Sequence, residues 1–267
     1  IRQLFISRII EAKGLNILQS MTSYKIIPTP LAVLHACELL SKGTKTQQGR
    51  GDLLAVDIGG ATTDVYSMAS GEPTVDNTML KGLPEPWMKR TVEGDLGMRY
   101  SLTHVYEQIP GSDNPENEYM QQVKAWVELC TAHPDTLAAP GSEEEKLEEF
   151  LGRSAVSMAV ERHCGRIADV YTPLGLMHTQ EGKDLMNVPS VIGIGGVLRN
   201  SRRPEEILKG SLYDFMHPEC TKPRKPKFYL DQKYIFASMG LLRSINPELA
   251  FELLDKETVE IGCNATV

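Results

Sequence analysis

Nothing in this sequence is apolar for long enough to cross a bilayer, and no signal-peptide pattern stands at its start. A positive charge balance is missing too. The formal net charge is -7, which argues against nonspecific attachment to nucleic acid or to an anionic membrane. Cysteine is sparse and scattered. The five thiols, Cys37, Cys130, Cys164, Cys220 and Cys263, include no closely spaced pair. That pattern argues against a zinc site or a disulfide framework, and for reduced thiols in the cytoplasm. What is present is ordinary for a globular protein: 41% hydrophobic and 24% charged residues in 267, enough for one large domain or two small ones. The chain opens at Ile1 rather than Met, inside an apparently helical run, so the expectation is a fragment lacking its N-terminal part.

The informative stretch is Leu53-Leu54-Ala55-Val56-Asp57-Ile58-Gly59-Gly60-Ala61-Thr62-Thr63-Asp64-Val65-Tyr66. Its apolar opening predicts a buried strand that delivers Asp57 into a turn built on Gly59 and Gly60. The chain then leaves along 62–66 as a second strand. Glycine tolerates positive φ and lets backbone N–H groups approach an anion closely. Hydroxyls on Thr62 and Thr63 can add phosphate contacts. Asp57 and Asp64 repel a phosphate, so beside one they act through a divalent cation or by orienting a water. Nucleotide phosphate plus Mg2+ is the reading. The plain alternative is an ordinary hairpin with a Gly-Gly turn; two acids and two threonines around the glycines weigh against it.

Elsewhere, periodicity sets the expectations. A helix is predicted over 1–13 and a short strand over 15–18. Thr29 as cap and Pro30 in the first turn predict a helix that buries Leu31, Leu34 and Leu39 and stops at Gly43. His35 and Cys37 on it read as packing residues. The polar stretch 42–51 reads as a linker between lobes, 73–80 as a third strand and 81–90 as an irregular connection. A helix is expected over 93–107, with Glu93 and Asp95 at its positive end. Another is predicted over 118–131, and Ser142 with Glu145 predicts a capping box that opens a long helix to about Cys164. The 188–194 run reads as a second buried strand, ending in a glycine corner at Gly193, Gly195 and Gly196. Such a corner is often only a close-packed strand end. Lys222 to Lys227 reads as a solvated basic turn. The 231–242 stretch, with Gly240 allowing tight packing, resembles the closing helix of the actin-like ATPase superfamily, and Asn246-Pro247 caps a final short helix.

The run Asp57-Ile58-Gly59-Gly60-Ala61-Thr62-Thr63-Asp64-Val65-Tyr66-Ser67 resembles the second phosphate-binding loop of the actin-like ATPase superfamily. More narrowly it resembles the glutamate mutase L (GlmL/MutL) family. So do Thr91-Val92-Glu93-Gly94-Asp95-Leu96-Gly97-Met98-Arg99, Ala159-Val160-Glu161-Arg162-His163 and Tyr171-Thr172-Pro173-Leu174-Gly175, in the expected order. The resemblance implies an α/β fold: an actin-like ATPase (ribonuclease H-like) lobe with a smaller, mainly helical insert. Residues 1–48 would end the first lobe, 49–107 and 188–267 would form the second-lobe core, and 108–187 the insert.

The same resemblance implies ATP and Mg2+ as cofactors. Asp57 and Asp64 would hold the metal or the attacking water. Gly59, Gly60, Thr62 and Thr63 would take the phosphates, and Gly193, Gly195 and Gly196 would lie under the nucleoside. Glu161 resembles the ribose-binding glutamate of heat-shock chaperones, although Cys164 and Gly165 stand where basic residues are expected; a surface ion pair is the competing reading. Glu93 and Asp95 are either dipole-complementing acids or part of the nucleotide region. The implied function is an ATP-driven chaperone that reactivates an adenosylcobalamin-dependent glutamate or amino mutase, whose subunits would be its partners. A small-molecule kinase and a nucleotide-binding scaffold or filament protein are the alternatives, and no isolated acid marks itself as a kinase base. The superfamily builds its site from two hairpins, one per lobe. This piece alone, with one hairpin, is therefore expected to bind ATP poorly and hydrolyse it negligibly.

Overall fold

The computed structural model describes residues 26–173 and 175–262. The helix expected over 1–13 and the strand over 15–18 lie outside the described residues. In chain order the elements are α1 (Thr29–Lys42), β1 (Leu53–Ile58), β2 (Thr63–Met68), β3 (Thr78–Lys81), β4 (Met88–Glu93), α2 (Leu102–Glu107), α3 (Glu118–Ala132) and α4 (Glu143–His163). Then follow β5 (Arg166–Thr172), β6 (Gly175–Glu181), β7 (Ser190–Ile194), α5 (Gly196–Asn200), α6 (Pro204–Leu208), β8 (Lys227–Asp231), α7 (Phe236–Leu242), α8 (Pro247–Glu257) and β9 (Thr258–Glu260). The fold is mixed α/β. One sheet runs β4-β2-β1-β7-β8-β9 and a second runs β3-β6-β5.

Strand β1 is the hub. It pairs antiparallel with β2, from Leu53↔Met68 to Ile58↔Thr63, and parallel with β7, from Leu54↔Val191 to Asp57↔Ile194. Its unbroken apolar run reflects cover on both faces. Side chains alternate along a strand. Leu53 and Ala55, with Tyr66 and Ile192, therefore pack with Leu40 of α1, Phe236 of α7 and Leu254 of α8. Leu54, Val56 and Ile58, with Val65, pack with Leu151, Ala155 and Val160 of α4. Each fully buried Leu, Ile, Val or Phe among them contributes about 1.5–3 kcal/mol, so the hairpin is anchored in apolar packing on both faces of the sheet.

Helix α4 begins as its sequence predicts. The Ser142 hydroxyl accepts from the Glu145 N–H at 3.3 Å, while the Glu145 carboxylate turns to the Gly141 N–H at 2.7 Å. Residues of the 108–187 stretch share the main core: Met120, Trp126, Leu147 and Leu151 belong to one apolar cluster with Leu54 and Val56. That stretch also carries β5 and β6, paired antiparallel from Arg166↔Glu181 to Thr172↔Gly175. Strand β5 is largely exposed, and the buried residue of β6 is the polar Gln180, so neither strand shows a core-facing apolar alternation.

Three expectations between 42 and 107 give way. The supposed linker is a pinned turn: the Arg50 N–H donates to the Leu40 carbonyl (2.9 Å), and the Arg50 side chain bonds Asp255 (2.8 Å). The third strand is confined to Thr78–Lys81, and the supposed irregular connection holds β4, in register with β2 from Thr63↔Glu93 to Met68↔Met88. The helix expected over 93–107 is helical only from Leu102. Tertiary contact overrides local propensity here. A Cβ at Gly97 would fall 2.2 Å from the Ala61 carbonyl carbon, so this segment is pressed against the β1–β2 bend. Glu93 and Asp95 consequently cap nothing; both pair with Arg162, at 2.7 and 2.8 Å.

Nearer the C-terminus, Asp231 ends a strand rather than starting a helix. Its carboxylate accepts from the N–H groups of Ile235 (3.0 Å) and Phe236 (3.1 Å), and so caps α7 from outside. Lys222 is buried, against the solvated-turn reading, and donates to the Ser157 hydroxyl at 2.9 Å. No helix among the described residues is long and apolar enough to cross a membrane.

Candidate functional site

Strands β1 and β2 are joined by Gly59-Gly60-Ala61-Thr62, closed by a hydrogen bond from the Gly59 N–H to the Thr62 carbonyl (2.9 Å). The segment after β4 clamps this bend. Met98 N–H donates to the Gly59 carbonyl (3.0 Å), and the N–H groups of Arg99 and Tyr100 donate to the Gly60 carbonyl (2.8 Å each). Ser101 Oγ donates to the Ala61 carbonyl (3.0 Å). With its carbonyls tied back, the bend keeps the N–H groups of Gly60 and Ala61 without an acceptor among the described residues. Successive free N–H groups make an anion-binding concavity. Neither Gly59 nor Gly60 has positive φ, contrary to the sequence expectation. A Cβ on Gly60 would meet nothing closer than Arg99 Cβ at 3.6 Å. Packing therefore tolerates a side chain there; what glycine keeps open is access to the N–H groups.

The second glycine corner adjoins the first. Gly195 lies at φ +101°, and a Cβ on it would stand 2.4 Å from the Ile58 carbonyl oxygen and 2.8 Å from Asp57 Oδ1. Both corners thus sit at the carboxyl ends of neighbouring parallel strands, where ligands bind in open α/β sheets. A cavity of about 570 Å³ opens between them, lined by Gly59, Gly60, Arg99, Ala138, Glu145, Glu148, Glu149, Gly196, Asn200 and Arg202 among others. Its volume suits a nucleotide-sized ligand.

The two aspartates face each other across the hairpin as register partners, and they differ sharply. Asp64 is held by Arg90, whose Nε and Nη2 approach Asp64 Oδ1 at 2.8 and 2.6 Å. Thr62 Oγ1 donates to its other oxygen at 3.3 Å. Asp57 accepts no side-chain hydrogen bond among the described residues. Burial above all, then the nearby Asp64 and Asp231 carboxylates, push its pKa up to about 6, with Arg90 opposing. A half-buried, unpaired carboxylate of this kind fits a cation ligand. Among the described residues no three His, Cys, Asp or Glu side chains stand together as a metal cage. Mg2+ suits such a poor cage, because it binds through one or two carboxylates and completes its shell with phosphate and water.

The structure brings Asp57, Asp64, Gly59, Gly60, Gly195 and Gly196 together. Thr62 borders the bend but serves Asp64. Thr63 is fully buried and donates its hydroxyl to the Leu96 carbonyl, so it fixes the clamp rather than facing the cavity. Gly193 is a packing glycine: a Cβ there would lie 2.9 Å from Leu198 Cδ1. Glu161 is not at the cavity. It lies thirteen residues beyond Glu148 on α4, about 20 Å along the axis, and pairs with Arg166 at 2.7 Å. The surface ion pair is the reading that holds.

Sequence reasoning missed the acidic and basic wall. Glu145, Glu148 and Glu149 recur at i, i+3 and i+4, and so share one face of α4. Each has a basic neighbour: Arg202 at 3.9 Å from Glu145, Arg99 at 2.7 Å from Glu148, and Arg203 bonded to both Glu149 oxygens. The helical spacing was visible, but nothing local said which face met a cavity.

A family model described as MutL protein matches residues 1–258. Protein MutL of Clostridium tetanomorphum is 44% identical over 264 residues, which cover 98% of this chain and 57% of the relative. The chain thus spans little more than half the length of the curated relative it matches.

Proposed function

The chain belongs to the MutL (glutamate mutase L) family, and from that premise we propose that it supplies half of an ATP site in a chaperone-like protein serving an adenosylcobalamin-dependent mutase. One observation carries the reading. Gly59 and Gly60 of the bend and Gly196 of the second corner line one cavity, and the unpaired Asp57 carboxylate lies against that second corner, 2.8 Å from where a Cβ on Gly195 would stand. In this reading the bend takes the phosphates and Gly196 lies along the nucleoside. Asp57 receives the divalent cation that accompanies ATP. The bound cation would neutralise phosphate charge and polarise the terminal phosphoryl group. Asp64, anchored by Arg90, holds its own charge in place and raises the electrostatic demand at Asp57. The actin-like lobe architecture belongs to the same proposal, and lobe closure on nucleotide would be what the mutase senses.

The test uses the full-length protein immobilised and exposed to purified glutamate mutase subunits. Capture is expected to differ at least about tenfold between ATP and ADP, a coupling of about 1.4 kcal/mol. Equal capture with either nucleotide, or none with both, contradicts the proposed role.

A further inference from the structure

We propose that Arg99 reads the phosphate charge of a ligand in this cavity and passes its arrival to the loop at 133–141. The inference rests on the nucleotide reading above and adds to it the residue that couples the site to its surroundings. Arg99 stands directly beside the bend, its backbone N–H bonded to the Gly60 carbonyl (2.8 Å) and its Cβ facing Gly60. Its guanidinium reaches across to three acceptors: the Met98 carbonyl (2.6 Å), the Thr136 carbonyl (3.2 Å) and Glu148 Oε1 (2.7 Å). One side chain thus ties together the anion-facing bend, the loop between α3 and α4, and α4 itself.

That loop forms part of the cavity wall through Leu137, Ala138 and Pro140. The side chain of Arg99 is mostly buried, so a new anion close to it is weakly screened. Guanidinium prefers bidentate phosphate contacts. A phosphate held by the Gly60 and Ala61 N–H groups therefore competes with Glu148 and the Thr136 carbonyl for the same donors. The competition loosens the tie that holds the loop. A nucleoside without phosphates offers no such competition.

Calorimetric titration of the full-length protein with ATP and with adenosine tests this, alongside hydrogen exchange over 133–141. Arg99→Met is expected to weaken ATP binding about tenfold or more, as for a lost charged hydrogen bond, and adenosine binding by less than about threefold. ATP should speed exchange in the loop of the wild type and not of the variant. Glu148→Gln keeps Arg99 and removes its competing charge, so ATP binding should tighten severalfold; this variant decides the matter if Arg99→Met does not fold. Equal losses for ATP and adenosine, no loss at all, or unchanged ATP affinity in Glu148→Gln overturn the inference while leaving the nucleotide reading standing. A wild type that binds neither ligand overturns both.

Discussion

Asp57→Ala in the full-length protein is expected to abolish ATP turnover, by at least about 10²-fold, and to leave the fold no less stable than the wild type. Both halves follow from the same geometry. Asp57 lies on a strand buried from both faces, accepts no side-chain hydrogen bond, and has the Asp64 and Asp231 carboxylates nearby. Folding raises its pKa from 3.8 to about 6, which penalises the ionised group by on the order of 3 kcal/mol at neutral pH. Alanine removes that penalty. The sign with pH is fixed: the folded protein holds the Asp57 proton more tightly than the unfolded chain, so the wild type is favoured toward pH 4. The variant's relative stability should rise between about pH 4 and pH 6 and stay level above. Wild-type kcat/KM should fall as pH drops below about 6, where the carboxylate that the nucleotide-free protein offers to the cation is protonated. Thermal unfolding across this range, with turnover measured in parallel, checks the prediction. Turnover that survives the substitution removes Asp57 from the mechanism; a variant much less stable at pH 7 contradicts the electrostatic account.

Gly195→Ala should be the most destabilising single-methyl change at the site. At φ +101° and ψ 158° this backbone occupies a region essentially reserved for glycine, which costs an L-residue about 1–3 kcal/mol. The added methyl would also stand 2.4 Å from the Ile58 carbonyl oxygen, so β1 or β7 must shift. Overpacking of that sort costs about 1–3 kcal/mol more, and together these lower the melting temperature by roughly 10 °C. Gly196→Ala is the control. Its added methyl meets only Asn200 Nδ2, at 3.9 Å, so the fold should hold while the cavity wall thickens. Differential scanning calorimetry of the two variants separates the cases. Similar melting temperatures for both would show that the two corners are not pressed together as described.

The hairpin was legible because every signal in it agreed. An apolar run covered on both faces, a Gly-Gly bend and flanking acids are all local features, and 53–66 forms the two-stranded hairpin that they predict, although neither Gly59 nor Gly60 takes a positive φ. Helices α3 and α4 were legible for the same reason, through periodicity and the Ser142 cap. Strand β4 was not: Met88–Glu93 alternates half-buried with exposed residues and is defined only by its register against β2. The helix expected over 93–107 failed because Gly97 must lie against Ala61, a contact between residues far apart in sequence. The site divided along the same line. Its glycines and Asp57 were visible locally, whereas Arg99 belongs to it because the segment after β4 is clamped to the bend, and Glu148 and Glu149 because α4 packs against β1. Glu161 was misplaced because sequence reports its helix but not which end of that helix reaches the cavity.

A crystal structure of the full-length protein with Mg2+ and a non-hydrolysable ATP analogue tests the central claim most directly. The account predicts phosphate oxygens within hydrogen-bonding distance of the Gly60 and Ala61 N–H groups, the cation on the Asp57 side, and the nucleoside along Gly196. An analogue bound elsewhere, with the bend's N–H groups facing only water, would contradict it.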